Sequence, residues 1–288
     1  MLAVCLALVA AFLYALGTVL QQKADIEEAD PAGVSAGFLA RLVQRPVWLA
    51  TPASELVGFI VLAVALGIGR LVIVQPLQVL SVVAALPLGV WLTGQHVGRR
   101  QIYGAVLVTA GLVAFLALSD PSGGRDDAPV RDWLIAGGVI GGLSLALVAA
   151  GLRARPALKA ALVGTAAGIL FGLSAALTKA TVTRVPDGID DVVLDWHVYA
   201  LIVVGLAAFG LTQVSLQGGL APSLAATATF DPVSSLILGL TLLDEQLHDS
   251  AAVTALSLVA LAVSLGGLLV LLLGRETPVP GPAPVPAG

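Results

Sequence analysis

The feature that most constrains this chain is the recurrence of apolar stretches about twenty residues long, the length at which a helix crosses the hydrocarbon of a bilayer. Segments at about 2–20, 46–68, 71–93, 101–118, 133–151, 158–182, 197–217, 220–243 and 251–273 have this character. Backbone groups in hydrocarbon must satisfy one another, which leaves helices and closed barrels. These segments are continuously apolar rather than alternating, so the barrel falls away. With 58% hydrophobic and 11% charged residues, the expectation is an all-α, polytopic membrane protein of about nine transmembrane helices, whose first partner is the lipid bilayer.

Several function classes drop out on residue counts. One cysteine, Cys5, and three histidines give no disulfide framework and no Cys- or His-built metal centre, so no cofactor is expected. A net charge of -4 without a basic run argues against nucleic acid, whose binding needs clustered Lys and Arg. There is no GxxxxGK[ST] loop for a nucleotide. No nucleophile or paired-acid constellation sits at one membrane depth, so an enzyme is not expected. Nine of the 14 Lys and Arg fall on the side reached after the first span, which predicts an outside amino terminus and a cytoplasmic carboxyl terminus.

Two pairs of stretches resemble each other. FLYALGTVLQQKA (12–24) sits beside ILFGLSAALTKAT (169–181), and PLGVWLTGQHV (87–97) beside ILGLTLLDEQL (237–247). The chain then divides into a first membrane repeat, 1–119, with an amphipathic interfacial helix at 33–45; a hydrophilic hinge and connecting transmembrane helix, 120–156; a second repeat, 157–274; and a disordered Pro-rich tail, 275–288. Four helices per repeat with a single helix between them force opposite orientations. Two inverted four-helix repeats joined by a connecting helix are the architecture from which alternating access arises.

The candidate site consists of polar groups where hydrocarbon should be. Asp231, near the middle of the eighth segment, and Glu55, near the middle of the second, must be paired, hydrated or protonated there. Both are candidates for substrate binding and, together, for holding a cation. Thr227 precedes Asp231 on the same helix, and Gln75, Gln78 and Gln213 are placed to line a polar path; glutamines also hold membrane helices together. Lys179, near the end of the sixth segment, either snorkels to water, pairs with Asp231 or binds an anionic substrate. Pro76, Pro222 and Pro232 mark expected helix breaks or hinges.

VQPLQVLSVVAALPLGVWL (74–92) and APSLAATATFDPVSSLILGLTLLDEQL (221–247) resemble the paired signatures of the drug/metabolite transporter (EamA-like) superfamily. Within it, the nine-span NIPA-like magnesium transporter branch is nearest. The resemblance runs from the first span to the ninth. Where the superfamily has a glutamate at the end of this helix in both halves, the chain has Glu245 in the second and Gln95 in the first. The resemblance implies a secondary transporter working by alternating access, on a divalent cation such as magnesium. A small-metabolite or drug exporter and a non-transporting membrane scaffold stay open beside it, and a homodimer is among the assemblies the sequence allows.

Overall fold

A computed structural model describes residues 1–27 and 46–273; the interfacial helix expected at 33–45 and the Pro-rich tail lie outside the described residues. The long helices are α1 (Leu2–Glu27), α2 (Pro46–Ile68), α5 (Arg99–Leu118), α6 (Val130–Gly151), α7 (Pro156–Val182), α9 (Trp196–Leu216), α10 (Leu220–Thr241) and α11 (Ala251–Leu273). Shorter ones are α3 (Leu71–Leu77), α4 (Leu80–Thr93) and α8 (Ile189–Leu194). Counting α3 and α4 as one crossing, nine helical stretches among the described residues are long and apolar enough to span a membrane. The protein is an all-helical, multi-pass membrane protein.

Lipid chains are as apolar as leucine, so membrane helices associate through close packing, and small residues set how close they come. Helix α7 is the hub, packed against α10, α9, α6 and α2. Its Gly164, Gly168 and Gly172 recur one per turn on a single face. A Cβ added there would stand 2.8 Å from the Ser223 carbonyl oxygen, 2.6 Å from that of Thr227 and 2.5 Å from Ser234 Cβ. The two backbones are thus nearly in contact, and Ser234 Oγ donates to the Ile169 carbonyl at 3.0 Å. Helices α5 and α11 use the same device. Gly104 and Gly111 face the Gly267 and Ala260 carbonyls, with Ser264 Oγ donating to the Val108 carbonyl at 3.1 Å.

Gly172→Ala is therefore expected to cost about 1–3 kcal/mol through overpacking, read as a lower unfolding temperature in detergent. Gly138→Ala on α6, where an added Cβ meets nothing within 4 Å, should leave it unchanged or slightly higher.

Of the three expected breaks, one is present. Pro76 has no N–H to donate, and just beyond it Gln78, Val79, Ser81 and Val82 bond to carbonyls three residues back, at 3.0–3.2 Å. The tightened turn separates α3 from α4. Pro232 corrects the expectation: α10 runs unbroken through it from Leu220 to Thr241. Pro222 lies in the first turn of α10, where a missing N–H costs nothing, so it breaks no helix.

The hydrophilic stretch expected to be a hinge is fastened down. Strand β1 (Ser122–Gly123) pairs antiparallel with β2 (Glu245–Gln246). Arg125 donates from Nε and Nη2 to the Leu242 carbonyl at 3.0 and 2.9 Å and lies 3.3 Å from both Asp132 and Asp244. This ties the segment between α5 and α6 to the loop that follows α10.

Candidate functional site

A cavity of about 870 Å³ lies among α1, α2, the α3–α4 break, α7, α9 and α10. Asp231 reaches it because the glycine face of α7 holds α10 so close. Among the described residues, its carboxylate has one partner, Ser235 Oγ at 3.5 Å, and no basic side chain pairs with it. Gln75, buried on α3, and Gln78, in the break itself, line the cavity with Thr227 and Pro232. Gln78 Nε2 donates to the Ala7 carbonyl at 3.1 Å, which fixes the amide's orientation and leaves its buried Oε1 without a partner. Thr227 is already engaged, donating to the Gly164 carbonyl at 3.1 Å. Most of the wall is hydrocarbon, including Phe59, Leu62, Leu66, Phe171, Leu201 and Leu206.

The other expected site residues stand elsewhere. Glu55 is exposed on α2 and packs beside Gly17, off the cavity wall. Gln213 is exposed on α9 and also off the wall. Among the described residues no group of three or more His, Cys, Asp or Glu is placed to hold a metal ion.

Sequence reasoning missed Tyr14, Thr18, Ser81, Ser174 and Thr178, all on the wall. The signal was present in the paired stretches, where Tyr14 is set against Phe171 and Thr18 against Ala175; all four line the cavity.

Lys179 neither snorkels nor meets Asp231. It is 4% exposed, and its Nζ donates to Glu245 Oε1 and to the Gly69 carbonyl, each at 2.8 Å. Glu245, 2% exposed, accepts the Leu71 and Val72 N–H groups at 2.9 Å. These are orphan donors at the start of α3, where a negative charge is also favoured by the helix dipole. One carboxylate thus joins the loop after α10, helix α7 and the α2–α3 junction. Arg70, at that junction, donates to the Gly123 carbonyl in the fastened segment.

A second polar cluster lies at the same end of the bundle. Asp127 Oδ1 accepts from Trp133 Nε1 at 2.8 Å and from the Ala128 N–H at 2.7 Å, and Oδ2 accepts from Arg184 at 2.6 Å. Arg184 also contacts Asp195 at 2.5 Å. Buried His197 has Nδ1 2.8 Å from Asp195 and Nε2 3.1 Å from Asp127, and lies against the Trp196 ring at a centroid distance of 3.9 Å. Trp133, 4% exposed, is thus a packed member of this cluster.

Burial pushes the Asp127 carboxyl up, but Trp133, the Ala128 N–H, His197 and Arg184 together outweigh it and hold the group below its usual range. A depressed folded-state pKa gives stability that is present above the unfolded value, about 3.9, and is lost as pH falls through the folded one. The unfolding temperature is expected to drop through the carboxylate range. Asp127→Asn should lower it at neutral pH and flatten that acid limb.

The chain matches no family model, and no solved structure matches it. It is 31% identical over 252 residues to an uncharacterized protein of Corynebacterium glutamicum, an alignment covering 85% of this chain and 86% of the relative.

Proposed function

We propose that this chain, which belongs to one family with the corynebacterial protein, is a secondary transporter that carries a small solute across the cell membrane by alternating access. The observation that carries the reading is an acid near the middle of a spanning helix, unpaired among the described residues, on the wall of a large cavity. A carboxylate in such a place costs several kcal/mol unless water or a ligand compensates it.

The inverted-repeat reading draws support from how the helices pack. Helix α1 packs on α2 and α4, while α7 packs on α9 and α10; α5 and α11 pack on each other. Carrying the second paired stretch back along the chain sets Gln78, Ser81 and Val82 against Ala228, Asp231 and Pro232, and all six line the cavity. Two halves contributing equivalent positions to one cavity is the arrangement on which alternating access rests. Membership of the drug/metabolite transporter superfamily and an outside amino terminus belong to the same reading. The end of the bundle bearing the Lys179–Glu245 pair is then the outer one, sealed in this conformation. The magnesium version is the weaker one, because it asks for a second acid on the cavity wall and Asp231 is the acid that lines it.

The test is two-sided access. With Ser81→Cys on a Cys5→Ser background, an impermeant maleimide should label the cavity from either face of oriented vesicles. Labelling from one face alone, under every ion and solute gradient applied, would sink alternating access.

A further inference from the structure

The cavity's unsatisfied polar groups define what it lacks. Its one charged group is the Asp231 carboxylate, held only by a long contact to Ser235. An ionised carboxylate only accepts, so a single one calls for a ligand that donates and carries one positive charge. Magnesium and calcium demand six or more oxygen ligands, usually with several carboxylates or retained waters, and most of the remaining wall is hydrocarbon, with the rings of Tyr14, Phe59 and Phe171. Such rings attract organic cations, and the cavity volume lies within the range of sites for drug-sized molecules.

The wall also reaches the lipid. Helices α2 and α9 do not pack along one another. Phe59 on α2 and Ile202 and Leu206 on α9 line the cavity, yet they are 40%, 53% and 67% exposed. The cavity therefore opens sideways through a hydrocarbon-edged cleft, a route a hydrated ion would not take.

Resting on the transporter reading above, we infer that the ligand is an organic monocation with N–H donors and a hydrocarbon body, an alkyl- or arylalkylamine, entering from the bilayer between α2 and α9. Its ammonium group sits at Asp231, and its apolar part lies against Phe59, Phe171 and Leu206.

The experiment is calorimetric titration of the full chain in neutral phosphatidylcholine nanodiscs with 4-phenylbutylammonium, 4-phenylbutanol and magnesium ion. The amine should bind saturably, with the alcohol and magnesium at least about tenfold weaker. Asp231→Asn should weaken the amine by about tenfold or more, and Asp231→Glu should keep it within a few-fold. Ile202→Trp, which narrows the cleft, should slow amine association about tenfold with little change in affinity. Equal binding of amine and alcohol, indifference to Asp231→Asn, or preferred binding of magnesium would overturn the ligand class, and an unchanged association rate in Ile202→Trp would overturn entry from the lipid. Amine that binds but does not cross proteoliposomes would defeat the transporter reading and leave the ligand class standing. Flux of another solute without amine binding would do the reverse.

Discussion

Glu245→Ala is expected to destabilise the protein by about 3–5 kcal/mol, the cost of stranding one member of a buried ion pair. The loss has two sources. Lys179, nine-tenths or more buried, would keep its charge with only the Gly69 carbonyl for a partner, and the Leu71 and Val72 N–H groups would lose their acceptor at the start of α3. Thermal unfolding in detergent reads the effect directly. Glu245→Gln should fall between the two, because an amide oxygen can accept from one N–H but brings no charge to Lys179. Lys179→Met with Glu245→Leu should cost clearly less than the two single changes added, since the double variant strands no charge. Strict additivity would mean that the 2.8 Å contact contributes nothing. Both members are already engaged with each other, so neither is free to bind solute while this end of the bundle is closed.

Asp231→Asn should move function and stability in opposite directions. With no basic partner among the described residues, the carboxylate gives the resting fold little in return for its burial, and an amide is cheaper to hold there by about 1 kcal/mol or more. A raised unfolding temperature is the expected result. Uptake of 4-phenylbutylammonium into proteoliposomes should fall by about thirtyfold or more, because removing one partner of a buried charge contact costs roughly 2–5 kcal/mol. A site retained at the expense of stability behaves in this way. Loss of stability together with loss of uptake would make Asp231 a structural residue, and uptake that persists in the Asp231→Asn variant would remove it from the transport path. The contrast with Glu245 is the point of the pair: both are acids close to spanning helices, and only their partners distinguish them.

Those partners were beyond the reach of sequence reasoning. Asp231 and Glu55 look alike as acids inside apolar segments, yet Asp231 lines the cavity and Glu55 is exposed beside Gly17. In sequence Lys179 is equally open to water, to Asp231 or to an anion; in the fold it takes Glu245, 66 residues away. Pro76, Pro222 and Pro232 carry the same chemistry, but only the crossing that contains Pro76 is divided, while α10 absorbs Pro232 against the close-packed face of α7. Tyr14 and Ser174 carry no charge to mark them. Their place on the wall follows from which face of α1 and α7 turns inward, and in a helix apolar all round no periodicity marks that face.

What sequence alone determined is the set of crossings. The nine expected segments and the nine helical stretches of spanning length among the described residues agree to within a few residues at each end, because in hydrocarbon the demand for backbone hydrogen bonds is met inside each segment, and twenty apolar residues in a row are enough to meet it. Which helix faces touch, which acid finds a base and which acceptor is left facing empty space were decided by tertiary structure. Such contacts join residues as far apart as Leu71 and Glu245, separated by 174 positions, and they depend on how closely glycine faces let backbones approach.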